Sequence, residues 1–315
     1  MRQSSGDGQR RAARYGSGDE VGDYMHTRSI FMAFALAALP VSGSAAPYAR
    51  AAIADPPRDA HYPSKNQQLL IPSHGVGMNA VLFEASGKGP HRTVILMHGL
   101  PGNERNLDLA QAIRRAGWDV LTFTYRGAWG SPGDFSISNA IEDSRAALDF
   151  ARSPEGAKLG IDPRQIVLAG HSMGGATAFM TAASASGLDG LILIDAWNIA
   201  AGTSKGAVTK ADLVVGFDDF GNSLHGATPE SVADEVVARR SEWDLVAAAP
   251  KLSKLPILTV TAKYGAADEN RATTAALRKG GNAHVAAVEM DTDHPFSDHR
   301  IALASTVIRW LQGLR

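Results

Sequence analysis

The feature that most constrains the fold is an alternation of short apolar runs with amphipathic helical segments from residue 67 onward. Two runs, 67–72 and 78–85, predict a pair of antiparallel strands. The later runs are continuous, as in strands buried on both faces of a sheet, and lie at 93–97, 120–125, 165–169, 191–194, 257–261 and 285–288. Such alternation predicts an α/β fold: a mainly parallel central sheet with helices on both faces and right-handed crossovers.

One interval between predicted strands is too long for a simple crossover. The runs at 191–194 and 257–261 are separated by a segment whose later part, 229–253, has a helical pattern. A structureless loop of that length is uncommon in a compact domain. The sequence therefore predicts a helical cap, inserted at about residues 199–253.

Residues 1–45 are predicted to be a leader that precedes the folded domain. Residues 1–24 are polar and predict either disorder or a mis-annotated start codon. Residues 25–45 have the order of a signal peptide, with a basic start, an apolar run at 30–41 and small residues ending near Ala45. We therefore expect cleavage near Ala45 and export to the periplasm or the medium, with an uncleaved anchor as the alternative. The apolar run is shorter than the roughly 20 residues of a membrane-spanning helix, so no stable span is expected.

Composition excludes several classes of site and partner. The chain has 31 basic and 32 acidic residues, a formal net charge of −1, which gives no electrostatic indication of a nucleic-acid partner. It has no cysteine, which excludes disulfides, a cysteine nucleophile and thiolate metal sites. Residues 46–66 predict a linker and residues 67–315 the folded domain. Oligomeric state is left open.

The chemistry of the chain is indicated most strongly by residues 170–174, which read Gly-His-Ser-Met-Gly. They follow an apolar strand and begin a helix of small residues, the context in which a G-x-S-x-G turn exposes a nucleophilic serine. Gly170 and Gly174 leave room for a turn this tight. The segment resembles the nucleophile elbow of the α/β-hydrolase superfamily, and the resemblance extends from about residue 67 to the carboxyl terminus. It implies the α/β-hydrolase fold, Ser172 as nucleophile and no cofactor.

A serine hydrolase also needs N–H donors for the oxyanion of its tetrahedral intermediate. The first is expected to be the backbone N–H of Met173, the residue after the nucleophile. The second is expected from the segment after the third strand, where His98 and Gly99 resemble the His-Gly oxyanion loop of the superfamily. Leu100 is the preferred donor and Gly99 the alternative, since Pro101 has no N–H.

The resemblance implies that the general base is a histidine between the last strand and the last helix. His294 occupies that position, with His299 and His225 as weaker candidates. The acidic cluster around His294 also permits a metal site, but no pair of histidines is spaced for one on a helix, so no metal is expected.

The carboxylate that orients the base follows the strand at 257–261 in most of the superfamily. Asp268, three residues after Gly265, matches that position and is the predicted acid. Asp195, after the preceding strand, is the alternative acid, and Glu269 is a further candidate. Asp268 also fits a helix amino terminus.

These residues predict hydrolysis of a small-molecule carboxylic ester through an acyl-enzyme. Arg126 lies in a Tyr-Arg-Gly segment that resembles a loop of the prolyl-oligopeptidase-like and esterase branches. A serine peptidase acting on short peptides therefore remains an alternative. Arg126 is also expected to form a structural ion pair. A binding protein that retains the fold without turnover is the second alternative.

Overall fold

The computed structural model describes residues 50–201, 208–220 and 223–314. The predicted leader lies outside the described residues, and so do the first residues of the predicted linker. Eight strands form one sheet in the described part: β1 (Lys65–Ser73), β2 (Val76–Glu84), β3 (His91–Met97), β4 (Asp119–Phe123), β5 (Ile161–His171), β6 (Gly190–Ile194), β7 (Ile257–Tyr264) and β8 (Val285–Asp293).

The strand order across the sheet is β1-β2-β4-β3-β5-β6-β7-β8. β1 pairs with β2 and β2 with β4 in antiparallel fashion, and every later pair is parallel. This confirms the predicted α/β fold with an antiparallel pair at one edge. Because β3, β5, β6, β7 and β8 are parallel, their carboxyl ends share one edge of the sheet, where sites of such folds lie.

Helices cover both faces of the sheet, as predicted. Outside the long insertion they are α1 (Leu107–Arg115), α2 (Ile137–Arg152), α3 (Pro154–Lys158), α4 (Met173–Ala182), and, after it, the helices at Ala267–Lys279 and Arg300–Gly313. One buried cluster joins β3 and β5 side chains to α1 and the last helix, and the other joins the opposite sheet face to α2 and α4. Ser136 caps α2 by accepting the Asn139 N–H (3.0 Å), so this helix begins where its sequence supplies a cap.

The segment between β6 and β7 is helical. It contains α5 (Lys210–Gly216), α6 (Pro229–Arg239) and α7 (Leu245–Ala248), with short 3-10 turns at Asp218–Phe220, Arg240–Trp243 and Ala249–Leu252. Capping boxes at Thr209 and Thr228 start α5 and α6. The last two long helices are then α8 (Ala267–Lys279) and α9 (Arg300–Gly313). No helix in the described ranges has the length and apolar character needed to cross a membrane.

Candidate active site

Ser172 lies in the turn between β5 and α4, half-buried, at the carboxyl edge of the sheet. Its backbone has φ 56° and ψ −123°, which for a residue with a Cβ costs of order 1–3 kcal/mol and occurs mainly at functional sites. The Ser172 N–H donates to the carbonyl of Ile194 (3.1 Å), and the Ser172 carbonyl accepts the N–H of Trp197 (3.0 Å). The turn after β5 is therefore bonded to the segment after β6.

Two glycines flank this turn because no side chain fits there. A Cβ on Gly170 would lie 2.0 Å from the carbonyl oxygen of Gly174. A Cβ on Gly174 would lie 2.3 Å from the carbonyl oxygen of Met97, in β3. These contacts agree with the predicted need for glycine at both positions and keep β3, β5 and α4 close around Ser172.

A buried carboxylate and a histidine meet beside this turn. His294 follows β8, and its Nδ1 donates to Oδ2 of Asp195 at 2.5 Å. Asp195 follows β6 directly and is fully buried. Its carboxylate also accepts the backbone N–H groups of Ala262 (3.0 Å) and Ala266 (2.9 Å) and the Asn270 side-chain amide (3.4 Å). These donors compensate for burying the charge and fix the carboxylate toward His294.

The predicted pairing of Asp268 with His294 is wrong, and the alternative carboxylate, Asp195, takes the place. β7 continues three residues beyond the predicted strand, so Asp268 falls in the first turn of α8 rather than in a loop. Its side chain is 98% exposed and pairs with Arg271 (3.0 Å). The sequence signal for Asp195 was its position directly after β6, which pairs with β5, the strand that ends just before Ser172.

Sequence reasoning missed the role of Gly265. A Cβ there would lie 2.1 Å from Oδ2 of Asp195 and 3.1 Å from the Cα of His294. Only glycine lets the chain after β7 pass this closely to the Asp195–His294 pair. The glycine that the sequence used to locate Asp268 thus serves Asp195.

The predicted oxyanion donors adjoin Ser172. Met173 is the first residue of α4, where backbone N–H groups lack helical partners and favour negative charge. Gly99 packs against the elbow, since a Cβ on it would lie 2.9 Å from the Cβ of Ser172. Leu100 is the next residue of this loop and is half-buried. The loop is tied to the segment after β4 by Trp129, whose Nε1 donates to the carbonyl of Pro101 (2.7 Å).

Two histidines flank the site in buried positions. Burial lowers the pKa of His98 to about 4 and, with the nearby His294, lowers that of His171 to about 4. His98 donates from Nδ1 to the carbonyl of Gly99 (2.7 Å), and His171 donates from Nε2 to the carbonyl of His294 (3.0 Å). Both rings are therefore neutral near pH 7 and hold the loop and the elbow in place.

The other candidate bases lie away from Asp195. His299 pairs with Asp298 (2.9 Å), and His225 pairs with Asp134 (2.9 Å) at the surface. In the described ranges, no three His, Asp or Glu side chains are placed to hold a metal ion.

Arg126 forms the expected structural ion pair. Its Nε donates to Oδ1 of the fully buried Asp143 (2.6 Å), its backbone N–H donates to Oδ2 (2.8 Å), and its Nη2 reaches Glu142 (2.7 Å). The pair fixes the segment after β4 on α2. The next aromatic residue, Trp129, borders a cavity of about 530 Å³ whose lining includes His98, so this segment lies beside the loop that follows β3.

Comparison with known proteins agrees with this architecture. Residues 94–306 match the sequence model of the alpha/beta hydrolase family. Over 136 residues the chain is 32% identical to the quorum-quenching protein AidA of Acinetobacter baumannii, a match that covers 41% of this chain and 43% of that protein. The chain thus spans about two fifths of the length of the curated relatives it matches.

Solved structures share the fold over a longer stretch. An esterase of Pyrobaculum calidifontis superposes with a TM-score of 0.62 at 19% identity, covering 85% of this chain and 90% of that one. A thermostable carboxyl esterase from Bacillus coagulans superposes with a TM-score of 0.60 at 18% identity, covering 79% and 98%. At these identities the likeness concerns the fold.

Proposed function

The chain belongs to the alpha/beta hydrolase family, and from this premise we propose that it hydrolyses carboxylic esters through an acyl-enzyme on Ser172. The observation that carries the proposal is the 2.5 Å hydrogen bond from His294 to the buried Asp195, beside the strained turn that holds Ser172. A nucleophile, a base and an orienting carboxylate are the three parts that serine acyl transfer requires.

In the proposed mechanism, the Oγ of Ser172 attacks the ester carbonyl carbon while Nε2 of His294 takes the hydroxyl proton. Because the Nδ1 proton is held by Asp195, Nε2 is the free base position of the neutral ring. The N–H groups of Met173 and Leu100 stabilise the oxyanion of the tetrahedral intermediate, about 3–4 kcal/mol for each donor.

The intermediate then collapses. The bond to the alcohol oxygen breaks, and His294 returns its proton to the departing alkoxide. Water attacks the acyl-enzyme by the same route, giving the carboxylic acid and free Ser172. Asp195 stabilises the imidazolium in both halves.

Aromatic residues support an apolar acyl group as part of the substrate. The Trp197 ring, two residues after Asp195, meets Phe217 edge-on with centroids 6.1 Å apart, and Phe217 stacks on Phe220 at 5.1 Å. Because the Trp197 N–H bonds the Ser172 carbonyl, this cluster starts next to the nucleophile. Trp243 is 3% exposed and contributes to the core of the insertion.

The test is fluorophosphonate labelling of purified full-length protein beside Ser172→Ala, with turnover of p-nitrophenyl acetate, butyrate and octanoate. We expect labelling and ester turnover that both disappear in the variant. Faster cleavage of aminoacyl p-nitroanilides than of the esters would replace the esterase assignment with a peptidase. A folded wild type that neither labels nor turns over would refute the proposal.

A further inference from the structure

We propose that Glu269 is a positioning residue whose carboxylate sets the charge felt by the Asp195–His294 pair and so the pH dependence of the reaction. The inference rests on the proposed role of His294 as base. Glu269 lies half-buried in the first turn of α8, next to the exposed Asp268. Its Oε2 accepts the backbone N–H of Asn198 (3.0 Å), three residues beyond Asp195.

The same helical turn holds the catalytic carboxylate. Ala266 and Asn270, on either side of Glu269, both donate to Asp195. The Asn270 side chain also accepts the Ala196 N–H at Oδ1 (3.1 Å) and donates from Nδ2 to the Ala196 carbonyl (3.0 Å). Hydrogen bonds from α8 therefore hold both Asp195 and residues 196–198, and the Glu269 carboxylate is bonded to the same segment.

Glu269 changes its charge in the range where histidines titrate. Burial and the nearby charge of Asp195 raise the pKa of Glu269 to about 7, against the lowering effects of the Asn198 N–H and His294. Since Glu269 interacts electrostatically with His294, its ionised form favours the imidazolium.

Other charged groups near the Asp195–His294 pair are either neutral or paired elsewhere. His171 is neutral because burial lowers its pKa to about 4. Arg300 donates to the Pro295 carbonyl beside His294 (2.9 Å) and pairs with Asp108. On the side of α8, Arg271 pairs with Asp268 and Glu289, Lys263 pairs with Asp291, and Asp244 accepts from the Asn198 side chain.

Replacing Glu269 by Gln keeps an acceptor for Asn198 and removes the charge. Without it, the pKa of His294 falls, so the base form persists to lower pH. We expect the acid limb of kcat/KM to move down by roughly half to one pH unit. Above about pH 8 we expect kcat to fall by a few-fold, because the imidazolium of the transition state loses a stabilising charge.

The experiment uses the full chain, with Glu269→Gln and the matched control Asp268→Asn. We would measure kcat/KM for p-nitrophenyl acetate between about pH 5 and pH 9. In parallel, the His294 ring would be titrated by NMR in protein labelled at histidine, its signal identified by its absence from His294→Gln. The NMR readout needs no turnover, so it separates this inference from the proposed function.

A lower pKa of His294 in Glu269→Gln, together with a wild-type pKa of His294 in Asp268→Asn, supports the inference. If these pKa values are found but no variant turns over esters, the charge coupling is supported and the esterase assignment is refuted. An equal pKa of His294 in wild type and Glu269→Gln overturns the inference. Should Glu269→Gln fail to fold, the NMR titration of His294 in the wild-type protein tests the inference instead. Two steps in the His294 titration, one near the Glu269 pKa, support the coupling, and a single step overturns it.

Discussion

At the scale of single residues, the site depends on where one carboxylate lies. Asp195 follows β6, the neighbour of the strand that carries Ser172, and three N–H donors besides His294 hold it. Asp268 follows β7 and faces solvent. A carboxylate orients a catalytic histidine only through a direct hydrogen bond. We therefore expect substitution of Asp195 to lower kcat strongly and substitution of Asp268 to leave it nearly unchanged.

We expect Asp195→Asn to lower kcat by roughly 10³–10⁴-fold, because an amide at this position no longer favours the tautomer with a proton on Nδ1. Asp268→Asn is the matched control and should leave kcat within about twofold, since it loses only an exposed pair with Arg271. Both are measured as ester turnover at saturating substrate. Equal losses in the two variants would mean that the hydrogen bond to Asp195 does not orient the base.

Gly265 gives a second prediction at this scale. In Gly265→Ala the new Cβ would lie 2.1 Å from Oδ2 of Asp195, so the carboxylate must move away from His294. We expect a loss of kcat of at least about 100-fold, since small displacements of catalytic groups are costly. Gly313→Ala, where a Cβ meets nothing within 4 Å, is the control and should behave as wild type in ester turnover. Retained activity in Gly265→Ala would show that the Asp195–His294 contact is dispensable.

At the scale of elements, one carboxylate of the insertion bonds directly to the start of a helix that covers the sheet. Glu235, in α6, accepts the backbone N–H groups of Ile137 (2.8 Å) and Ser138 (3.0 Å), the first residues of α2. A negative charge at a helix amino terminus is favourable, and these N–H groups have no partner within their own helix. Glu235 thus joins the insertion to a helix that packs directly on the sheet.

We expect Glu235→Ala to lower the free energy of unfolding by about 1–2 kcal/mol, because both N–H groups lose a charged acceptor. Asp234→Ala, one residue earlier on α6, removes only a largely exposed pair with Lys210 and should cost under about 1 kcal/mol. Urea unfolding followed by circular dichroism measures both. A Glu235→Ala variant no less stable than Asp234→Ala would contradict the docking role.

Element ends, rather than element types, limited what the sequence predicted. Hydrophobic periodicity located the eight strands, and the Gly-His-Ser-Met-Gly pattern placed Ser172 in a turn between a strand and a helix, because both depend on local residue patterns. The carboxylate that bonds His294 was predicted at the wrong position because β7 extends to Tyr264 and the expected loop around Asp268 is helix. The predicted helical stretch 229–253 is broken into short pieces, with Asp244 capping α7 by accepting the Val246 N–H (2.9 Å). Such ends depend on tertiary hydrogen bonds that periodicity does not report.

At the scale of the whole molecule, buried titratable groups act on acid stability in opposite directions. His98 and His171 have pKa values lowered to about 4 by burial, so the unfolded chain binds their protons first and stability falls as pH drops from about 6.5 to 4. Burial raises the pKa of Asp119 to about 6 and that of Glu269 to about 7. For these carboxyls the folded state takes up the proton first, and stability rises over nearly the same interval. The two effects offset one another, so we expect wild-type stability to change little between about pH 7 and pH 4.5.

Replacing one of the two buried histidines should reveal its contribution to the pH dependence of stability. His171→Asn removes a buried group that resists protonation, and this group alone contributes about 3 kcal/mol of destabilisation to wild type as pH falls from 6.5 to 4. The difference in unfolding free energy, wild type minus variant, should therefore shrink by about that amount across this interval, whatever its value at pH 7. Urea titrations at several pH values measure this difference, and a constant offset for His171→Asn would mean that its ring takes up a proton equally well in the folded and unfolded chain.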